Sequence, residues 1–275
     1  MSENKQNTTL PPLSKKEIAR AGKTKEQLNT VKNNGYKMKN MTISPAFANA
    51  MALVWGILFS LPMFIGYILY NGGLFESRET PLWEYAIIAI TYFTFIIAHE
   101  GIHGICMYLF NGHSKDTIDF GLNSGMPYCT CQTPITKWKY IVVLVMPTFV
   151  LGTAFSIFTI LTSSVEWLLF TFLLIGGGGG DFTICAKLLP AKEKDLMIVD
   201  HPYRCGFIAL SKTYDVDDTE AIFKEFDDAV KANASDSPEE KQKNKKKFIT
   251  GFVVGVVITL VAGIVGYLFG LILFN

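Results

Sequence analysis

Five long apolar stretches constrain this chain more than any other feature. They lie at about 47–70, 82–110, 140–163, 166–189 and 248–274. As helices, all five are long enough to cross a hydrocarbon layer of roughly 30 Å. No charge interrupts the run from Met41 to Phe75, the third stretch between Lys139 and Glu166, or the fifth. Pro62 and Pro147 fall inside two of them, which membrane helices tolerate better than soluble ones. Soluble domains carry about 25% charged residues. Here 18% are charged and 49% hydrophobic, which excludes a disordered chain and an ordinary soluble domain. The cysteines number five with no framework spacing, so the chain is not a disulfide scaffold. A net charge of +1 offers no basic field for nucleic acid.

Residues 1–46 are polar and Lys-rich, so the first stretch reads as an internal start rather than a cleaved leader. Ser14-Lys15-Lys16-Glu17 has the form of a capping box at the head of a short surface helix. Positive charge sets the orientation. With the N-terminus in the cytoplasm, 24 of the 25 Lys and Arg fall on that side and only Arg78 lies outside. The expected location is the cell membrane, multi-pass, with the C-terminus outside.

Two connecting segments have their own character. Residues 111–137, rich in Gly, Pro, Asn and Thr, read as a strand-turn-strand excursion at the cytoplasmic surface. In 190–247, Leu196–Asp200 and Gly206–Ser211 read as short strands. Asp218–Ala234 has helical periodicity, with Ile222, Phe223, Phe226 and Val230 on one stripe. Ser235–Lys247 is a charged linker whose lysines sit near anionic lipid headgroups. The expected fold is an all-α membrane protein of about five transmembrane helices, with a short β-hairpin-like loop and a small cytoplasmic α+β segment. Its parts are a polar tail (1–46), a four-span core (47–189), the small segment with its linker (190–247) and a last helix (248–275).

The chemistry lies within the second stretch, at His99-Glu100-Gly101-Ile102-His103. Helix positions four apart sit nearly above one another, about 6 Å apart along the axis. Both imidazoles therefore reach one ion. Zn²⁺ takes neutral imidazole nitrogen and polarises a water, and Glu100, one position along, is placed to accept its proton. Ionisable residues in hydrocarbon cost about 2.5–3.5 kcal/mol each, so they are rare and usually functional. The bland reading is a polar helix face hydrogen-bonded to a neighbouring helix.

A catalytic zinc usually takes three protein ligands and leaves one position open. Asp181 follows five glycines, Gly176–Gly180. It lies 15 residues beyond Glu166, and Glu100 lies 16 beyond Glu84. At 1.5 Å per residue both acids sit roughly 23 Å from the outer ends of their helices. Asp181 is then either the third ligand or the cap of a helix restarted after the glycines. Asp200 and His201 offer alternative ligand atoms, but the pair reads more simply as shaping a turn before Pro202. His113 reads as solvated, Cys106 and Cys185 as packing, and Cys129-x-Cys131 lacks the second pair of a thiolate site.

These residues resemble the intramembrane zinc metalloproteases of the site-2 type. More closely, HEGIHG at 99–104, FG at 120–121, PYC at 127–129, GGGGGD at 176–181 and DHPYRCGF at 200–207 resemble a bacterial family of integral membrane proteins catalogued as zincin peptidases. The resemblance covers about 85–210. It implies a zinc-dependent endopeptidase cleaving in or near the bilayer, with His99, His103 and Asp181 as zinc ligands and Glu100 as general base. It also implies a membrane protein or peptide substrate, with the 111–137 loop beside it. The Asn-Pro element of site-2 proteases is replaced here by glycines. On this reading zinc, with a helix-end amide near the glycine break, holds the oxyanion. Two other classes are a metal-ion transporter and a catalytically inactive membrane scaffold. Transport needs a polar route outward, yet the residues outward of His99 read YFTFIIA. Intact Glu100 speaks against the scaffold.

Overall fold

A computed structural model describes residues 13–73, 81–123 and 126–235. The fifth apolar stretch, Arg78 and the charged linker after Ser235 fall outside them. Among the described residues, four helical stretches are long and apolar enough to cross a membrane: Ala50–Asn71, Trp83–Phe110, Lys137–Thr162 and Val165–Leu188. They match the first four expected from sequence.

The chain begins with α1 (Lys15–Asn33), β1 (Lys37–Asn40), α2 (Pro45–Asn71) and α3 (Leu82–Phe110). Next come the hairpin β2 (Ile118–Asn123) and β3 (Met126–Cys131), the two-residue β4 (Ile135–Thr136) and α4 (Lys137–Thr162). Last are α5 (Val165–Gly177), α6 (Gly179–Leu188), β5 (Met197–Asp200), β6 (Phe207–Ser211) and α7 (Thr219–Ser235). The capping box forms: Glu17 N–H donates to Ser14 Oγ, and Ser14 N–H donates to the Glu17 carboxylate.

α2 packs on α4, α5 and α6, and α3 packs on α4. Leu53, Ile57, Leu61 and Ile65 of α2 and Ile90, Phe93 and Ile97 of α3 stay exposed. An exposed apolar face of this extent is what a lipid-facing surface requires. One end of the bundle carries an antiparallel sheet in the order β1-β6-β5-β4. Side chains alternate across a strand, and both faces of this sheet are covered. Ile198, Phe207 and Ala209 face the bundle, against Tyr140, Leu144, Cys185 and Leu188. Val199, Ile208 and Leu210 face away, against Leu28 of α1 and Ile222 and Phe226 of α7. Double coverage is why β6 reads as a continuous apolar run. Residues 15–40, read from sequence as a polar tail with one short helix, thus supply both an edge strand and half of this outer layer.

The glycine run explains how α5 and α6 fit beside α2 and α4. A Cβ on Gly56 of α2 would lie 3.0 Å from the Gly176 Cα, and one on Gly179 would lie 2.2 Å from the Ala52 Cα. These are backbone atoms with no room to give. At Gly177 a Cβ would meet nothing within 4 Å. Overpacking costs about 1–3 kcal/mol, so Gly179→Ala is expected to lower the thermal midpoint of the detergent-solubilised protein. Gly177→Ala should leave it unchanged or raise it, since alanine is favoured over glycine in helices by about 0.5–1 kcal/mol.

Candidate metal centre

α3 carries His99 and His103 one above the other, their ring centroids 4.8 Å apart. The two Nε2 atoms lie 3.2 Å apart. His103 is fixed through its other nitrogen: Nδ1 sits 2.9 Å from the Val143 carbonyl of α4. A carbonyl can only accept, so Nδ1 bears a proton, and in the neutral ring Nε2 then keeps a free lone pair. A hydrogen bond of this kind orients imidazole ligands and sets their tautomer.

Asp181 is the third residue of α6, which restarts at Gly179 after the break at Gly178. Its Oδ2 lies 3.2 Å from His99 Nε2 and 3.4 Å from His103 Nε2. No side chain caps α6, so the carboxylate turns to the imidazoles rather than to its own helix end. A tetrahedral Zn²⁺ bound at about 2.0–2.1 Å holds its ligand atoms about 3.3 Å apart. The three measured separations fit that edge. Glu100 stands in the same place: its carboxylate and the two imidazoles keep their ligand atoms within 4.8 Å of one another, a group that could itself hold an ion. Its carboxylate also faces the backbone N–H of Cys129 on β3.

Beyond His99, toward the far end of the bundle, the space is filled by aromatic rings. Phe95 packs on Phe155, and Phe155 on Trp167 and Phe170. At the other end stands the β2–β3 hairpin, and here the remaining sequence landmarks acquire physical roles. Phe120 occupies the place a Cβ on Gly104 would take, 2.3 Å from the ring, so the hairpin seats directly on the helix that bears His103. Tyr128 lies across Gly121 of the paired strand in the same way. Arg20 of α1 stacks on the Tyr128 ring and donates to Tyr128 Oη and Thr130 Oγ1.

The alternative ligands are engaged elsewhere. Asp200 accepts from the Cys131 N–H at 2.7 Å and from the Tyr140 hydroxyl, tying β5 to the hairpin and to α4. His201 Nδ1 accepts from the Arg204 N–H, and its Nε2 faces Glu225 of α7. Burial pushes its pKa down, holding it neutral. The pair shapes the turn, with Gly206 at φ 118° and a Cβ there 2.7 Å from the Thr42 Cα. His113 is exposed at a positive-φ turn position. Cys106 and Cys185 are buried in the core. Burial pushes the thiols of Cys129 and Cys131 up, which disfavours the thiolate a metal would need. Asp119 accepts from the Gln132 amide. Sequence reasoning missed the Val143 carbonyl and the bracing role of Asp200. Any residue type can supply a carbonyl, so no signal marked the first; the second depends on contacts across 60 or more positions.

Residues 92–196 match the model of a protein family described as "Putative zincin peptidase". The match spans the His99–His103 turn, the hairpin, the glycine run and Asp181. It agrees with the resemblance read from the motifs. No curated protein and no solved structure matches the chain.

Burial also pushes the Asp200 carboxyl up to about 6, against the two donors that favour its charged form. An unfolded Asp titrates near about 3.9. The folded protein therefore keeps this proton between about pH 4 and 6, where the unfolded chain has lost it. The stabilisation is complete below about pH 4 and is lost as pH rises through 6, a fall of about 3 kcal/mol. Asp200→Asn cannot titrate and should flatten this part of the pH–stability curve, measured by thermal unfolding in detergent.

Proposed function

We propose that this chain, matching the zincin peptidase family over 92–196, is a membrane-embedded zinc endopeptidase that cleaves a peptide bond in or near the bilayer. The observation that carries the reading is the meeting of His99 Nε2, His103 Nε2 and Asp181 Oδ2 at 3.2–3.4 Å, with the Glu100 carboxylate beside the two imidazoles. The substrate is a membrane protein or a peptide presented at the membrane surface. On the Lys and Arg distribution, the reading puts the sheet end in the cytoplasm.

His99 and His103 would hold the ion through Nε2, and Asp181 through Oδ2. Zn²⁺ held there supplies Lewis acidity, bringing a water's pKa to about 7 and polarising a carbonyl. Glu100 takes the proton of the attacking water and returns it to the leaving amine nitrogen. The Val143 carbonyl keeps the His103 ring in one tautomer throughout. Water enters from the sheet end, because aromatic rings fill the bundle beyond His99. A helical substrate must unwind locally, since its amides are otherwise shielded by their own hydrogen bonds.

Loss of a general base typically costs about 10²–10⁴-fold in rate. Glu100→Gln should therefore erase cleavage and keep the metal. The check is a comparison of new peptide termini in membranes of cells expressing either form. Termini unique to the wild-type protein and absent with Glu100→Gln are expected. Identical termini from the two would contradict a peptidase.

A further inference from the structure

Hydroxyls on the bundle helices mostly bond the carbonyl one turn back. Ser60 donates to Gly56 O, Thr94 to Ile90 O, and Thr183 to Gly179 O. Thr148 does not. Its side chain is 6% exposed, and Oγ1 has no partner among the described residues. A buried polar group without a partner is uncommon in native proteins and calls for a reason. Thr148 points at the break between α5 and α6: a Cβ on Gly178 would lie 2.0 Å from its Oγ1. Gly178 is the N-cap of α6 and offers no side chain. The N–H groups of Gly179, Gly180 and Asp181, the first three residues of α6, have no acceptor within the helix. An unpaired hydroxyl thus stands beside the N-terminus of α6. By helix rise it lies about 4.5 Å along the axis from Asp181.

We infer that the Thr148 hydroxyl, with the leading N–H groups of α6, receives a backbone carbonyl oxygen of the bound peptide and holds it more strongly as that oxygen gains negative charge. This deepens the peptidase reading and rests on it. The partner must be an acceptor, because the N–H groups can only donate. It must be small, because Gly178 leaves room only for the hydroxyl. A carbonyl oxygen becoming an oxyanion beside Asp181 meets both conditions, and such donors act by being in place before the charge develops. The glycines then have a second use: a side chain at 178 would occupy the position the hydroxyl needs.

The test uses the zinc-loaded full chain in detergent and a tripeptide phosphinate, whose tetrahedral P–O⁻ copies the oxyanion. Thr148→Val keeps the side-chain shape without the hydroxyl, and Thr148→Ser keeps the hydroxyl. Thr148→Val should retain zinc and fold at least as stably as wild type, because an unpaired buried hydroxyl is removed. It should bind the phosphinate about 10²-fold more weakly, as expected for loss of one oxyanion donor. Thr148→Ser should recover most of the affinity. Equal affinity in Thr148→Val, or no recovery with serine, overturns the role of the hydroxyl and leaves the peptidase reading intact. Zinc-loaded wild type that ignores the phosphinate also overturns the proposed receptor. A folded wild type without zinc fails earlier, at the peptidase reading itself.

Discussion

Two imidazoles and a carboxylate share a space about one ion wide inside a bundle walled by apolar side chains. Each of these groups is expensive in such surroundings unless it is paired or binds a metal. Much of the architecture serves to bring them together. α3 supplies the imidazoles through its own periodicity. The carboxylate comes from a second helix that has to break and restart at the right depth, and the break is possible because Gly178 carries no side chain. α4 lies between the two and contributes the Val143 carbonyl, which turns the His103 lone pair toward Asp181.

Glycine positions set how close the parts come. Gly56 with Gly176, and Gly179 with Ala52, bring α5 and α6 against α2 at backbone distance. Gly104 and Gly121 instead make room for rings of the hairpin: Phe120 rests on α3 at Gly104, and Tyr128 lies over Gly121. The hairpin is then braced from the sheet by Asp200 and from α1 by Arg20. Since Glu100 faces the Cys129 N–H, this bracing reaches the Glu100 carboxylate. The outer layer of α1, α7 and the sheet is in this sense part of the site's support.

Local periodicity and helix depth were legible in the sequence. The HExxH spacing needs only the helix repeat, and the equal depths of Glu100 and Asp181 follow from counting residues along two helices. β5, β6 and α7 also followed from their apolar patterns. The strand Lys37–Asn40 was not legible, because a four-residue polar segment has no pattern of its own and exists through pairing with Phe207–Ser211. α1 shows few apolar residues because only one stripe, including Ala21 and Leu28, is covered. Thr148, Asp200 and the Val143 carbonyl act through contacts between distant parts of the chain, and one sequence carries no mark of such contacts. FG, PYC and DHPYRCGF could be recognised as landmarks before their packing roles were visible.

The proposed activity depends on a zinc centre built from His99, His103 and Asp181. The decisive experiment is the metal content of the purified protein in detergent, beside His99→Ala and Asp181→Ala. About one zinc per wild-type chain is expected, as for a centre with three protein ligands. His99→Ala should lose that zinc, and Asp181→Ala should retain it markedly less well. A well-folded wild type without zinc, or a His99→Ala variant that keeps it, would rule out this centre.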